Sequence, residues 1–427
     1  MNSLKKENIC IGIFGVSSQS GMAYFADLTN RGFKVVGYAW AEDQGRQVVD
    51  SINQNGGIQL VRPDNLNNEL SKFVPLSDSV VTHDMAFMIE ESDIIIIAIP
   101  SNFHVDAIIS LGKTGLLKKR IPIILSPSRT FATPYLWEIL GEEYPVVCFS
   151  TSPYSAKTLA PDSVFIKRRK RTWTASLEGS FTKAHERMIK EIFPQLALFE
   201  IPALTSLNNI GAIFHPATYL MNLDEIQKRA QQGKTFSFYM EGIAQRPEVG
   251  EVLEKIDQVR LQVAHSIGID TFGLSCCPRE DIWRKLTNGL RALEDEHEGE
   301  IDILRQIRRQ FMEYINNSVL SAQHWLDITY GVERIPGESL GDAIGRTPTY
   351  QKNSIPQFRY IEEDIPTGLV PLEALAEMFS IEHSAISDII NLYQEKYDKN
   401  TRLNGRNIKG FSREYVLEYL TGTLFDH

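Results

Sequence analysis

Hydrophobic and polar positions along the first half of the chain alternate between two periods. Residues 9–14 (Ile-Cys-Ile-Gly-Ile-Phe) form a short apolar run of strand type, and Gly15-Val16-Ser17-Ser18-Gln19-Ser20-Gly21 follows as a tight turn bounded by glycines. Residues 22–28 carry a helical pattern that ends near Gly32, and 33–38 return to strand. Strand, glycine turn, helix and strand within about thirty residues is the order of a dinucleotide-binding unit. In such a unit the turn brings backbone close to a pyrophosphate, whose charge meets the N–H groups and positive end of the helix. Further on, residues 93–100 (Asp-Ile-Ile-Ile-Ile-Ala-Ile-Pro) are apolar almost throughout. That is the pattern of a parallel strand covered on both faces, and Pro100 closes it at the carboxyl end, where ligands lie in open α/β sheets. Residues 122–127, 146–149 and 164–166 are expected to continue this sheet.

The second half changes period. Val252, Ile256, Val259, Val263 and Ile267 line one face of a helix, which Gly268 ends. Residues 301–325, 372–378 and 386–393 also read as helical. The expected class is therefore α/β, with a Rossmann-type dinucleotide-binding domain over 1–200 and a mostly helical domain over 201–427.

Composition narrows the partners. A chain of 427 residues is long enough to bury two cores. Its net charge of -10, from 44 basic and 54 acidic residues, gives no electrostatic reason to expect nucleic acid or an anionic membrane. One local exception, Lys167-Arg168-Arg169-Lys170-Arg171, reads as a solvated rim or a cluster near a phosphate. The apolar run 94–99 is too short to span a bilayer, and the opening MNSLKKEN leaves no room for a signal peptide, so cytoplasm is expected. The four cysteines have no metal-ligand spacing, and no metal is expected. Cys10 falls in a buried strand as a small hydrophobe, whereas vicinal Cys276-Cys277 could react with thiols or metals.

The cofactor choice turns on the end of the second strand. NAD sites place an Asp or Glu there for the ribose hydroxyls, but residues 35–41 (Val-Val-Gly-Tyr-Ala-Trp-Ala) have no acid before Glu42. Without that repulsion, and with Arg46 nearby, NADP is favoured over NAD. In the alternative, Glu42 reaches back to serve NAD and Arg46 is simply exposed. The turn itself departs from G-x-G-x-x-G at Ser17 and Ser20, and it also suits the first turn of another α/β domain.

Two segments carry possible acid–base chemistry. His215 lies in an apolar setting in residues 205–216 and is followed by Pro216. A histidine holds or releases a proton near neutral pH, although a satisfied core histidine fits the same pattern. Residues 358–371 read Phe-Arg-Tyr-Ile-Glu-Glu-Asp-Ile-Pro-Thr-Gly-Leu-Val-Pro. There Arg359 offers a two-pronged grip on a carboxylate, and Asp364 is of the type that orients an imidazole. The same acids equally suit a solvated turn.

Together these segments resemble the octopine/nopaline (opine) dehydrogenase family. An Asn-x-x-Gly-x-x-x-His-Pro stretch is matched by Asn208, Gly211, His215 and Pro216. Tyr239-Met240-Glu241-Gly242-Ile243, with Asp257 and Arg260 beyond it, matches a second mark. Arg359, Tyr360, Glu363, Asp364, Pro366, Gly368 and Leu369 match a third. The resemblance implies NAD(P)H-dependent reductive condensation of an amino acid's amine with a 2-oxo acid, in a homodimer. It implies His215 as the catalytic histidine, Asp364 as its partner and Arg359 as the carboxylate ligand. Asn208 and Thr367 fall on the substrate side, with Thr367 standing where family members often have Tyr. Gly15, Ser17, Ser18, Gln19, Ser20, Arg46 and Pro100 fall to the cofactor. Residues 152–157 and the basic run after them are similar to the opine-metallophore branch, which joins a 2-oxo acid to an aminobutyrate-extended amino acid. Two other functions remain compatible with the residues: an NADP-dependent reductase of a 2-oxo or 3-hydroxy acid without an amine, and a non-catalytic NADP(H) sensor.

Overall fold

The computed structural model describes residues 9–63, 70–274, 279–315 and 318–425; Cys276 and Cys277 lie outside the described residues. The chain divides into two compact units. The first comprises Met1–Ser128, Thr133–Glu200 and Ile301–Glu313, and the second Arg129–Ala132, Ile201–Glu300 and Tyr314–His427.

Among the described residues, twelve strands of the first unit run in chain order: β1 Cys10–Phe14, β2 Lys34–Tyr38, β3 Gly57–Val61, β4 Lys72–Pro75, β5 Val80–Thr82, β6 Ile94–Ile97, β7 Ile123–Leu125, β8 Val146–Phe149, β9 Tyr154–Ala160, β10 Ser163–Arg169, β11 Trp173–Glu178 and β12 Leu196–Phe199. Eight of them form one sheet in the order β12-β11-β8-β7-β6-β1-β2-β5, parallel except where β11 meets β8. The isoleucines of β6 are fully buried between β1 and β7, as expected of a strand covered on both faces. Cys10 in β1 is a buried thiol, pushed up to about 11 chiefly by burial.

Residues 164–166 do not continue that sheet. They belong to β10, in a separate four-stranded sheet ordered β4-β3-β10-β9. They pair there with β3 in parallel and β9 antiparallel, and Val164 and Ile166 are buried while Lys167 is exposed, the pattern of a sheet covered on one face. The basic run ends this strand. Its Arg169 is ion-paired at 2.9 Å with Asp27, which also accepts from the Tyr154 hydroxyl, so that member serves the packing of this unit.

The glycine turn joins β1 to helix α1 (Gln19–Asn30). Gly15 has φ +94°, a conformation that side chains disfavour. Its N–H and that of Val16 both donate to the Tyr38 carbonyl at 2.9 Å. A Cβ at Gly21 would lie 2.0 Å from the Gly15 carbonyl oxygen, so only glycine allows the helix this close to the turn. Ser18 caps α1, accepting from the Gly21 N–H at 2.8 Å while donating to the Ala98 carbonyl.

In the second unit the helix Pro247–Ser266 buries Ile256, Val259 and Val263, with Val252 half-buried, and Gly268 just beyond it has φ +82°. Buried Arg260 pairs with Asp257 at 2.6 Å and donates to the carbonyls of Leu207 and Leu320. Those bonds fix the chain just before the helix Ile210–Met221. The expected helix over 301–325 is interrupted, and its opening part, Ile301–Glu313, belongs to the first unit. Helix Ile301–Tyr314 is followed by strand Ser318–Leu320, paired in parallel with Asp270–Phe272, and then by helix Ala322–Tyr330. Ser321 starts that last helix, accepting from the His324 N–H, a cap signal that periodicity alone overlooks. Among the described residues no helix is long and apolar enough to cross a membrane.

Candidate active site

Helix Ile210–Met221 carries His215, and helix Arg359–Asp364 carries Asp364 at its last position. The two meet: His215 Nδ1 lies 2.7 Å from Asp364 Oδ2. A carboxylate only accepts, so Nδ1 carries the proton and Nε2 is the basic nitrogen of the neutral ring. Tyr360 stacks on the imidazole, with ring centroids 3.9 Å apart and planes 13° from parallel. On the other side the Tyr239 hydroxyl lies 3.4 Å from Nε2. Burial first, then Tyr360, Tyr330 and Asp364, hold the Tyr239 hydroxyl well above its usual range, so it remains a donor at neutral pH. Tyr239 is itself stacked on Tyr350 at 3.9 Å. A ring face, a carboxylate and a hydroxyl thus leave the imidazole one orientation.

Asp364 is almost fully buried, which by itself favours the neutral acid. The Arg129 charge and the bond from His215 outweigh burial and hold the carboxyl below its usual range. Arg129 contacts Asp364 Oδ1 with Nη2 at 3.2 Å, Glu363 Oε1 with Nε at 3.2 Å and Asn209 Oδ1 with Nη1 at 3.1 Å. Sequence reasoning missed Arg129. The available signal was a cation four residues beyond β7, among small and apolar residues at a carboxyl strand end.

Gly211 explains the spacing of the histidine segment. A Cβ there would stand 2.8 Å from Arg129 Nη1 and 3.3 Å from Asp364 Oδ1. Gly211→Ala is expected to displace the guanidinium and lower kcat about tenfold, with less than about 1 kcal/mol lost in stability, measured by steady-state kinetics and denaturant unfolding.

The other expected substrate residues are placed less uniformly. Arg359 is exposed, with Nε donating to Gln357 at 2.7 Å and its guanidinium carbon 5.9 Å from the Tyr360 ring centre. Asn208 donates to the Leu204 carbonyl at 2.8 Å, while its buried Oδ1 has no hydrogen-bond partner among the described residues. Thr367 is buried and turned inward: its hydroxyl donates to the Glu363 carbonyl at 2.7 Å, and its own carbonyl accepts from the Thr130 N–H.

The expected cofactor residues lie in the first unit. Gly15 and Ser18 shape the turn as described. The Ser17 carbonyl accepts from Gln44, Gln19 opens α1 as an exposed residue, and Ser20 is half-buried beside it. The first N–H groups of a helix have no partner within it, and this turn presents those of α1 at the carboxyl end of the sheet, a fit for a pyrophosphate. Arg46 is exposed on the first turn of helix α2 (Asp43–Asn55), with Nε donating to the Ala41 carbonyl at 2.7 Å. Pro100 is half-buried and leads into the turn Ser101–Phe103.

Residues 203–285 and 290–397 match the family model described as NAD/NADP octopine/nopaline dehydrogenase, alpha-helical domain. Through its helical region the chain is similar to the octopine/nopaline (opine) dehydrogenase family. It is 23% identical over 397 residues to an opine dehydrogenase of Arthrobacter sp. (strain 1C), covering 91% of each chain. Among solved structures it resembles octopine dehydrogenase in complex with NADH and agmatine, with TM-score 0.66, 15% identity and coverage of 97% of this chain and 98% of that one. It also resembles yersinopine dehydrogenase with NADP+ bound, with TM-score 0.60, 13% identity and coverage of 96% and 94%.

Proposed function

We propose that this opine dehydrogenase homologue catalyses reductive condensation of an amino acid's amine with a 2-oxo acid such as pyruvate or 2-oxoglutarate. The observation that carries this reading is the His215–Asp364 pair, in which the buried carboxylate is charge-supported by Arg129 and the half-buried imidazole is stacked on Tyr360. Octopine dehydrogenase is also known with NADH and L-arginine, and with NADH and pyruvate, which are one substrate of each class.

Amine attack on the oxo carbon, followed by loss of water, makes a carbon–nitrogen double bond. Each stage needs a proton moved. His215 Nε2 relays a proton from the attacking nitrogen to the carbonyl oxygen, giving the hydroxyl, and then a second from the same nitrogen to that hydroxyl as it leaves as water, while Asp364 stabilises the imidazolium each time. The Tyr239 hydroxyl donates toward the same nitrogen and fixes its direction. Arg359, at the exposed edge of Tyr360, holds the oxo-acid carboxylate, and Asn208 Oδ1 accepts a substrate N–H. A bound reduced nicotinamide would supply the hydride for that double bond.

NAD(P)H binds at the glycine turn, with NADPH preferred and Arg46 meeting its additional phosphate. Arg46→Ala is expected to weaken NADPH binding about tenfold and leave NADH binding within about twofold, measured by fluorescence titration. An equal loss for both cofactors would remove Arg46 from the discrimination. A cytoplasmic homodimer belongs to the same reading. The amine is an amino acid or, as in the metallophore branch, an aminobutyrate-extended one.

The test is NADPH and NADH oxidation by purified protein across a matrix of 2-oxo acids, each with and without candidate amines of both kinds. Oxidation that requires both substrates is the expected result. Oxidation with the oxo acid alone would make the protein a simple keto-acid reductase, and cofactor binding without turnover would make it a sensor.

A further inference from the structure

We propose that Arg129 is a positioning residue for this reaction, clamping Glu363 and Asp364 so that the imidazole of His215 stays aligned. The inference rests on the function proposed above, but it comes from a different part of the chain. Arg129–Ala132 follows β7 in sequence yet is counted with the second unit. Arg129 has φ +66°, in the left-handed region that bulky side chains seldom adopt. Such a conformation persists only where surrounding structure enforces it, and here it does. The Thr130 N–H donates to the Thr367 carbonyl at 3.1 Å, and the Thr130 hydroxyl to the Ser206 carbonyl at 2.9 Å. The Phe131 N–H donates to the Ser206 hydroxyl at 3.1 Å, and Arg406 donates to the Thr130 carbonyl at 2.9 Å. The segment is therefore tied to chain on both sides of the dyad.

From that anchor the guanidinium spreads over three partners, one on each nitrogen, and Gly211 leaves it room. Those contacts make it a support for the dyad rather than a ligand of the substrate. Its electrostatic task is to compensate two buried carboxylates adjacent in sequence, Glu363 and Asp364, which alone would repel each other. The other titratable groups about them are His215 from helix Ile210–Met221, Arg359 and Tyr360 from their own helix, and Tyr239 facing the imidazole. Glu362 is paired with Lys399 in an exposed contact, and Arg406 reaches the segment through Thr130.

Arg129→Gln removes the charge. It is expected to lower kcat about 10- to 100-fold while leaving KM for both substrates and cofactor affinity within about threefold. The second readout is independent of activity. In the native protein burial pushes the Glu363 and Asp364 carboxyls up, but the Arg129 charge prevails and holds both below their usual range. Their contribution to stability is therefore present above about pH 4 and is lost only as pH falls below that. Without Arg129 the largest force opposing burial is gone, leaving only Arg359 and the His215 bond against it, so the variant is penalised increasingly as pH rises through the carboxylate range. The Tm gap between native protein and Arg129→Gln should widen from about pH 4 to about pH 7. Adding Glu363→Gln, which removes one carboxylate, should recover about half of that gap at neutral pH. Arg129→Lys keeps the charge without the fork and should flatten the Tm gap while restoring only part of kcat.

A Tm gap independent of pH, with no rescue by Glu363→Gln, would reduce Arg129 to a packing residue and overturn the proposal; so would an unchanged kcat. Should Arg129→Gln fail to fold, Arg129→Lys and the double variant carry the same comparison. If the native enzyme oxidises NAD(P)H without needing an amine, the proposed reaction fails, while the Tm series still reads the Arg129 clamp on its own.

Discussion

Replacing His215 with alanine is expected to lower turnover at least about 100-fold, with NADPH affinity within about twofold of native. The magnitude follows from what the residue holds. Nδ1 is committed to Asp364 at 2.7 Å, so Nε2 is the ring position left to exchange protons with a reacting amine. Alanine removes that nitrogen and the ring on which Tyr360 stacks. The cofactor turn belongs to the other compact unit, which is why binding and turnover should separate. Single-turnover kinetics with fluorescence titration measures both. Unchanged turnover would return His215 to the status of a core histidine.

Asp364→Asn should have a comparable or larger effect, a loss of about 10³-fold in kcat. An amide in this position no longer stabilises an imidazolium, and its NH2 group can reverse which ring nitrogen carries the proton. Arg129 would keep Glu363 as its carboxylate partner, so charge balance in the pocket improves and the fold should tolerate the change. A melting temperature within a few degrees of native, combined with the kinetic loss, is the expected pairing. A small kinetic loss would mean that His215 needs no carboxylate. A collapse in Tm would mean that the carboxylate serves the fold first.

Much of the first unit was legible because its signals are local. The isoleucine run of β6, the apolar β1 and the glycines at 15 and 21 each impose their own conformation over a few residues. The sheet membership of residues 164–166 was not local, since alternation tells how many faces are covered but not which strand lies alongside. The helix expected over 301–325 failed because periodicity continued across a strand and the Ser321 cap. In the site, His215 and Asp364 were legible as motif positions 149 residues apart, and the fold brings them into contact. Arg129 was invisible for the opposite reason: it stands outside all three motif segments, and only long-range packing brings it to Asp364. Thr367 sat in a motif yet turned inward, because a helical threonine near neutral backbone carbonyls bonds to the preceding turn.

The most direct test of the central claim follows the hydride. The purified enzyme would be incubated with NADPH deuterated at nicotinamide C4, on the side transferred, together with an amine and a 2-oxo acid that support turnover. The account predicts a secondary amine whose mass equals the two substrates minus water plus one hydrogen and one deuterium, with the deuterium on the former oxo carbon. Deuterium found in the free hydroxy acid, with the amine recovered unchanged, would contradict it.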